Sequence, residues 1–103
     1  MDTTSEYFNP SMETMTREQI EELQLKRLKA TVQHCMDSAF YRKRFDDIGL
    51  SPDDIKSLDD LRKIPFTTKQ DLRDTYPFGI RSVPLEQCVR LHSSSGTTGN
   101  PTV

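Results

Sequence analysis

The residues best equipped for chemistry stand together near one end of the sequence, in Ser93-Ser94-Ser95-Gly96-Thr97-Thr98-Gly99-Asn100-Pro101-Thr102. Glycines let a backbone approach a polyphosphate closely and turn consecutive N–H groups toward one anion. Serine and threonine hydroxyls add neutral donors around the same oxygens, and a hydrogen bond to a charged group contributes about 1.5–3 kcal/mol. Gly96 and Gly99 flank Thr97 and Thr98, which puts two hydroxyls at the tip of a flexible lid. The chemistry expected is the gripping and positioning of phosphate. A Walker A loop would place Lys and then Ser or Thr after its second glycine. No Lys follows Gly99, which disfavours a P-loop kinase or ATPase. Composition alone favours a flexible polar linker, but the order Ser-Gly-Thr-Thr-Gly-x-Pro directly after a strand is far more restrictive.

Such a loop needs one element leading in and another leading out. Residues 88–92 alternate like a strand, and Thr102-Val103 begins another β-like run. The pattern predicts the opening of a β-hairpin that stops at its second strand. An unpaired strand leaves backbone donors and acceptors unsatisfied, so residues 77–103 read as the start of a larger α/β domain, truncated at Val103, with its phosphate loop at 93–102.

Upstream, residues 16–76 read as a helical layer. Thr16 with Gln19 three residues on forms a capping box, and Ile20, Leu23, Leu28, Val32, Cys35 or Met36, and Ala39 recur at helical spacing. Glu18, Glu21 and Glu22 crowd the first turns, where the helix dipole favours them. That helix is expected to reach about Ser38, with a shorter one over 41–48 ended by Gly49 in a left-handed cap. Ser51-Pro52, Ser57 with Asp60, and Thr68 with Asp71 mark three further helix starts. These carry Ile55, Leu58, Leu61, Ile64, Phe66 and Leu72 inward, while Pro65, Pro77 and Gly79 punctuate them. Pro84-Leu85-Glu86 is expected to make one more turn. Residues 1–15 read as an extended arm, either held by Tyr7 and Phe8 or frayed. The fold class expected is mainly α: a helical amino-terminal subdomain, then the first strand and phosphate loop of a truncated α/β domain.

The bulk numbers limit what else the chain can be. Its 103 residues suffice for one small domain. Hydrophobic residues make up 33%, below the roughly 45–50% of ordinary globular chains even when glycine is added. A folded but thinly cored unit follows, one that packs against something larger. The net charge of −2, with both signs interleaved, offers no basic footprint for nucleic acid and no polybasic membrane patch. Arg42-Lys43-Arg44 is the one dense basic cluster; it is either a solvated helix face or a phosphate or partner site. Cys35 and Cys88 lack metal-like spacing and read as small buried hydrophobes. No stretch approaches the ~20 apolar residues of a membrane span. Residues 1–6 lack the pattern of a signal peptide, so the cytosol is expected. His92, at the end of the expected strand, either reaches a phosphate or acyl group or braces the loop; His34 reads as a surface or boundary residue.

The order of residues 94–102 resembles the signature phosphate loop of the acyl-adenylate-forming enzymes, and within them the phenylacetate–coenzyme A ligase branch. The resemblance extends through Tyr7-Phe8-Asn9-Pro10, Leu25-Lys26-Arg27-Leu28, Tyr41-Arg42-Lys43-Arg44-Phe45, Leu58-Asp59-Asp60-Leu61, Ile64-Pro65-Phe66-Thr67-Thr68-Lys69, Asp71-Leu72-Arg73 and Tyr76-Pro77-Phe78-Gly79. It implies a two-step reaction in which ATP and an aryl acid, with Mg²⁺ on the phosphates, give an acyl-adenylate and pyrophosphate. Coenzyme A then takes the acyl group and releases AMP. It further implies that Thr97 and Thr98 hold the β- and γ-phosphates, helped by Ser94, Ser95 and the amides of Gly96 and Gly99. One departure stands out: that branch commonly has a lysine in the place of Asn100, and other adenylating enzymes often have one where Thr102 stands. The family's adenine, acid and coenzyme A sites would lie beyond residue 103, so this chain alone is expected to be inert and to need the remainder of the same polypeptide. The competing reading is a helical docking or dimerisation module, with a homodimer as one form, carrying a flexible Ser/Thr/Gly linker.

Overall fold

Among the described residues, four helical segments open at a short hydroxyl–carboxylate or hydroxyl–amide pair. The computed structural model describes residues 6–95 and 101–103. Thr16 caps the longest helix. Its hydroxyl accepts from the Gln19 N–H at 3.2 Å while its own N–H donates to Gln19 Oε1 at 3.0 Å. Around this frame the elements are α1 (Pro10–Glu13), α2 (Arg17–Cys35), α3 (Ala39–Asp47) and α4 (Lys69–Asp74), with 3₁₀ turns at Pro52–Asp54, Leu58–Lys63 and Leu85–Gln87. Asp54, Asp60 and Asp71 each reach back to the N–H of the hydroxyl residue three positions earlier, at 2.8, 2.9 and 2.8 Å. Gly49 ends α3 at φ +67°, the left-handed conformation expected of it.

The α2 helix packs across the Pro52–Asp54 and Leu58–Lys63 turns. Val32 from α2, Phe45 from α3 and Ile55 form the buried centre, with Leu28, Met36, Leu50 and Ile64 packed against it. The chain is thinly cored, as its composition predicts.

Four expectations need correction. The segment before α2 contains a helical turn, α1, begun by Pro10 at a position where its missing N–H costs nothing. Phe8 does not anchor it, since its side chain is fully exposed. Leu61 and Phe66 point outward rather than into the core. At Phe66 the backbone carbonyl accepts from Arg44 Nη1 at 2.9 Å, so the main chain is what is held there. Cys88 is exposed and Cys35 half-buried, and neither is in a disulfide. The fourth correction concerns the strand. No strand forms among the described residues, and 88–92 run as exposed irregular chain. Cys88 has extended dihedrals (φ −76°, ψ 126°), but alternation becomes a strand only when a neighbour accepts and donates along it.

Candidate functional site

Of the residues proposed to grip phosphate, Ser94 and Ser95 are described and exposed; Gly96, Thr97, Thr98, Gly99 and Asn100 lie outside the described residues. The structure does bring together the two ends of their segment. The Ser94 N–H donates to the Thr102 carbonyl at 2.8 Å, and the Thr102 N–H donates to Ser94 Oγ at 2.9 Å. Eight residues apart, they close the base of a loop. Thr102 Oγ1 is buried there with no hydrogen-bond partner. His92 is exposed two residues upstream.

Beside the loop base lies an open groove of about 730 Å³. Leu72, Thr75, the turn through Phe78, Gly79, Ile80 and Arg81, and Leu85, Val89, Leu91 and Val103 line it. His34, Tyr41, Ser82, Cys88 and Arg90 add polar side chains to its lining. Tyr41 Oη lies 3.0 Å from Thr67 Oγ1, which ties α3 to the chain entering α4.

The same two elements are fastened by an ion pair. Arg44 Nη1 and Nη2 donate to Asp71 Oδ2 and Oδ1 at 3.1 and 3.0 Å, a bidentate fork. Its guanidinium also lies 4.4 Å from the centre of the Phe40 ring. The Arg44 hydrogen bond, then the Thr68 N–H, push the Asp71 carboxyl down to about 2. The basic cluster is thereby explained as structure. Arg42 donates to the Met36 carbonyl at 2.9 and 2.7 Å, and Lys43 pairs with Asp47 at 2.8 Å. Each cation of 42–44 has a partner within the fold.

No group of His, Cys, Asp and Glu suited to a metal ion occurs among the described residues. No helix among them is long and apolar enough to cross a membrane.

The comparisons with known proteins bear on this thinly cored helical layer and the chain that follows it. No family model matches the chain. Phenylacetate-coenzyme A ligase of Escherichia coli (strain K12) is 54% identical over 93 residues, covering 89% of this chain and 21% of that protein. The enzyme of the same name from Thermus thermophilus is 48% identical over 97 residues, 93% of this chain and 22% of that protein. The chain is homologous to part of the phenylacetate-coenzyme A ligases. It spans about a fifth of the length of the curated relatives it matches. Among solved structures, 2-hydroxyisobutyryl-CoA ligase in complex with 2-HIB-AMP and CoA matches 99% of this chain and 23% of its own, with a TM-score of 0.86 at 34% identity. The same ligase in its postadenylation state with 2-HIB-AMP gives 0.85 at 31%. The chain therefore has the fold of the corresponding part of those acyl-CoA ligase structures.

The residue that sequence reading passed over is Ser38. It is fully buried and its hydroxyl donates to the Ile80 carbonyl at 2.7 Å. A serine just ahead of a helix reads as a cap, and nothing local signals a bond 42 residues long.

Proposed function

We propose that this chain is the amino-terminal part of an ATP-dependent aryl-acid–coenzyme A ligase that converts phenylacetate, ATP and coenzyme A to phenylacetyl-coenzyme A, AMP and pyrophosphate. The observation that carries the reading is the 54% identity over 93 residues to a curated phenylacetate-coenzyme A ligase. Neighbouring structures hold an acyl-adenylate and coenzyme A, which supports the same order of events.

In this reading residues 93–102 take the triphosphate. The hydroxyls of Thr97 and Thr98 donate to the β- and γ-phosphates, with Ser94, Ser95 and the amides of Gly96 and Gly99 around them. Their contribution is to hold charge in place as pyrophosphate leaves, which is where a preorganised donor set lowers a barrier most. Mg²⁺ would travel with the phosphates and neutralise part of their charge. Asn100 supplies a neutral donor where a cation would act more strongly. Asn100→Lys should therefore lower the apparent KM for ATP by up to about tenfold, the effect of one stronger hydrogen bond. An unchanged or raised value counts against a phosphate contact at that position.

Small-molecule substrates and the rest of the same polypeptide are the partners this function requires, and the 103 residues by themselves would be inert. A cytoplasmic location belongs to the same proposal, since two thiols outside any disulfide suit a reducing compartment. The test is to express the full open reading frame that contains residues 1–103 and follow AMP and acyl-coenzyme A formation with a panel of aryl acids. Phenylacetate should be turned over with ATP and coenzyme A, and absence of adenylate formation with every acid overturns the reading. A homodimer through the helical layer is a second reading, favoured by the exposed side chains of Phe66 and Leu61; sedimentation of the same product checks it.

A further inference from the structure

The α3 helix and its N-cap carry three polar side chains at steps of three, Ser38, Tyr41 and Arg44, and such steps keep them on one face. All three reach the same later segment. The Ser38 hydroxyl donates to the Ile80 carbonyl at 2.7 Å, and Tyr41 Oη lies 3.0 Å from Thr67 Oγ1. Arg44 donates to the Phe66 carbonyl at 2.9 Å and forks onto the Asp71 carboxylate at 3.1 and 3.0 Å. Residues 66–80 are thus held at their start, middle and end by one row of hydrogen-bonding side chains.

Within itself the segment is cohesive. Thr75 donates to the Asp71 carbonyl twice, from its N–H at 3.1 Å and from its hydroxyl at 2.7 Å, and the Gly79 N–H donates to the Thr75 carbonyl at 2.8 Å. Toward the core it offers little. No residue of 66–80 is fully buried, and every apolar side chain in or against the Val32, Phe45 and Ile55 centre comes from Ile64 or earlier. At six residues, α4 is too short to persist without support. The row that supports it is reached by water, since Arg44 and Asp71 keep 30 and 16% of their side-chain surface exposed. Such a unit, bonded inside, little buried and latched by partly solvated ties, opens ahead of global unfolding. We propose that residues 66–80 form a hinged strap, latched by Ser38, Tyr41 and Arg44, that opens as one body while α2 and the core stay folded. Leu72, Thr75, Pro77, Phe78, Gly79 and Ile80 belong to this strap and line the groove. The groove therefore loses that part of its lining whenever the strap opens.

The test is hydrogen exchange, followed by mass spectrometry of overlapping peptides, on the product of the full open reading frame. In the parent, the amides of Asp71, Thr75 and Gly79 should show one common protection, at least about tenfold below that of α2 around Val32. Arg44→Gln removes the fork and should speed exchange over the whole of 66–80 by about tenfold or more, with α2 within about twofold of the parent. Ser38→Ala acts at the other end of the segment and should speed the same amides together, Asp71 included. If each variant loosens only the amides beside its own bond, the segment is not one body and the strap is overturned. Equal acceleration in α2, or none anywhere, overturns it too. Should either variant fail to fold, the parent's exchange across a urea series decides: protection of 66–80 equal to that of α2 at every urea concentration overturns the proposal.

Discussion

Residues 16–64 and residues 84–95 are built from similar amino acids and end in opposite states. In the first stretch apolar side chains find one another, and Val32, Phe45 and Ile55 are 2–3% exposed. In the second, Leu85, Val89 and Leu91 are 47, 101 and 62% exposed. The difference lies in where each backbone finds its partners. A helix satisfies its N–H and C=O groups from within its own segment, and here the starts at Thr16, Ser51 and Ser57 are each closed by a residue three positions on. An extended run has no such internal supply and depends on another strand. The helical layer can therefore order itself, whereas residues 88–92 find no strand partner among the described residues.

The largest expected effect tests that contrast directly. Replacing a buried Phe by Ala costs about 3–5 kcal/mol, much of the roughly 5–15 kcal/mol that holds a domain together. Phe45→Ala should therefore abolish or nearly abolish the cooperative thermal transition followed by far-ultraviolet circular dichroism. Val89→Ala, at a side chain wholly in solvent, should leave stability within about 0.5 kcal/mol. Equal shifts in the two variants would erase the distinction between the stretches.

What could be read from the sequence follows the same division. The caps at Thr16, Ser51, Ser57 and Thr68 and the left-handed Gly49 were legible because each depends on residues within four positions. The turn at Leu85–Gln87 was legible for the same reason. The Arg44–Asp71 fork and the Ser38–Ile80 bond span 27 and 42 residues, and no spacing rule reaches that far. Phe66 was expected inside on hydrophobicity, but its carbonyl is what Arg44 holds, and this leaves the ring free to face outward. At the candidate site the order of residues 94–102 points to phosphate. Ser94 and Thr102 are bonded to each other, and the strand expected over 88–92 is absent from the described residues.

A smaller effect is expected where the two stretches join. Gly79 reads in sequence as mere punctuation, yet a methyl there would stand 2.6 and 2.7 Å from Thr75 Cβ and the Thr75 carbonyl oxygen. Neither atom is the far end of a flexible chain, so the turn must shift. Gly79→Ala should destabilise by about 1–3 kcal/mol, as overpacking does, and urea denaturation would register it as a lower midpoint at unchanged slope. A midpoint equal to that of the parent would mean that the turn through Gly79 yields without cost.

The smallest expected effect concerns the Arg44–Asp71 fork, and it is best read through pH. Hydrogen bonds from Arg44 and then from Thr68 push the Asp71 carboxyl from an ordinary 3.8 down to about 2. A carboxyl held lower in the folded state than in the unfolded one stabilises fully above its unfolded value and ceases to do so as pH falls through its folded value. That contribution should be complete above about pH 4 and lost by about pH 2. Asp60 is lowered as well, first by the Lys56 N–H, then by the Lys63 ammonium and the Ser57 N–H, and its share is lost in the same acid direction. In Asp71→Asn the amide oxygen can still accept the Thr68 N–H, so the cap survives while the charge on the Arg44 fork is removed. The variant should melt slightly lower than the parent at pH 7, a modest change because the pair is partly exposed. Between about pH 4 and pH 2 its melting temperature should fall less steeply than the parent's. Parallel curves would mean that the fork carries no linkage to folding, leaving Tyr41 with Thr67 and the Arg44 bond to the Phe66 carbonyl as the ties between α3 and the chain entering α4.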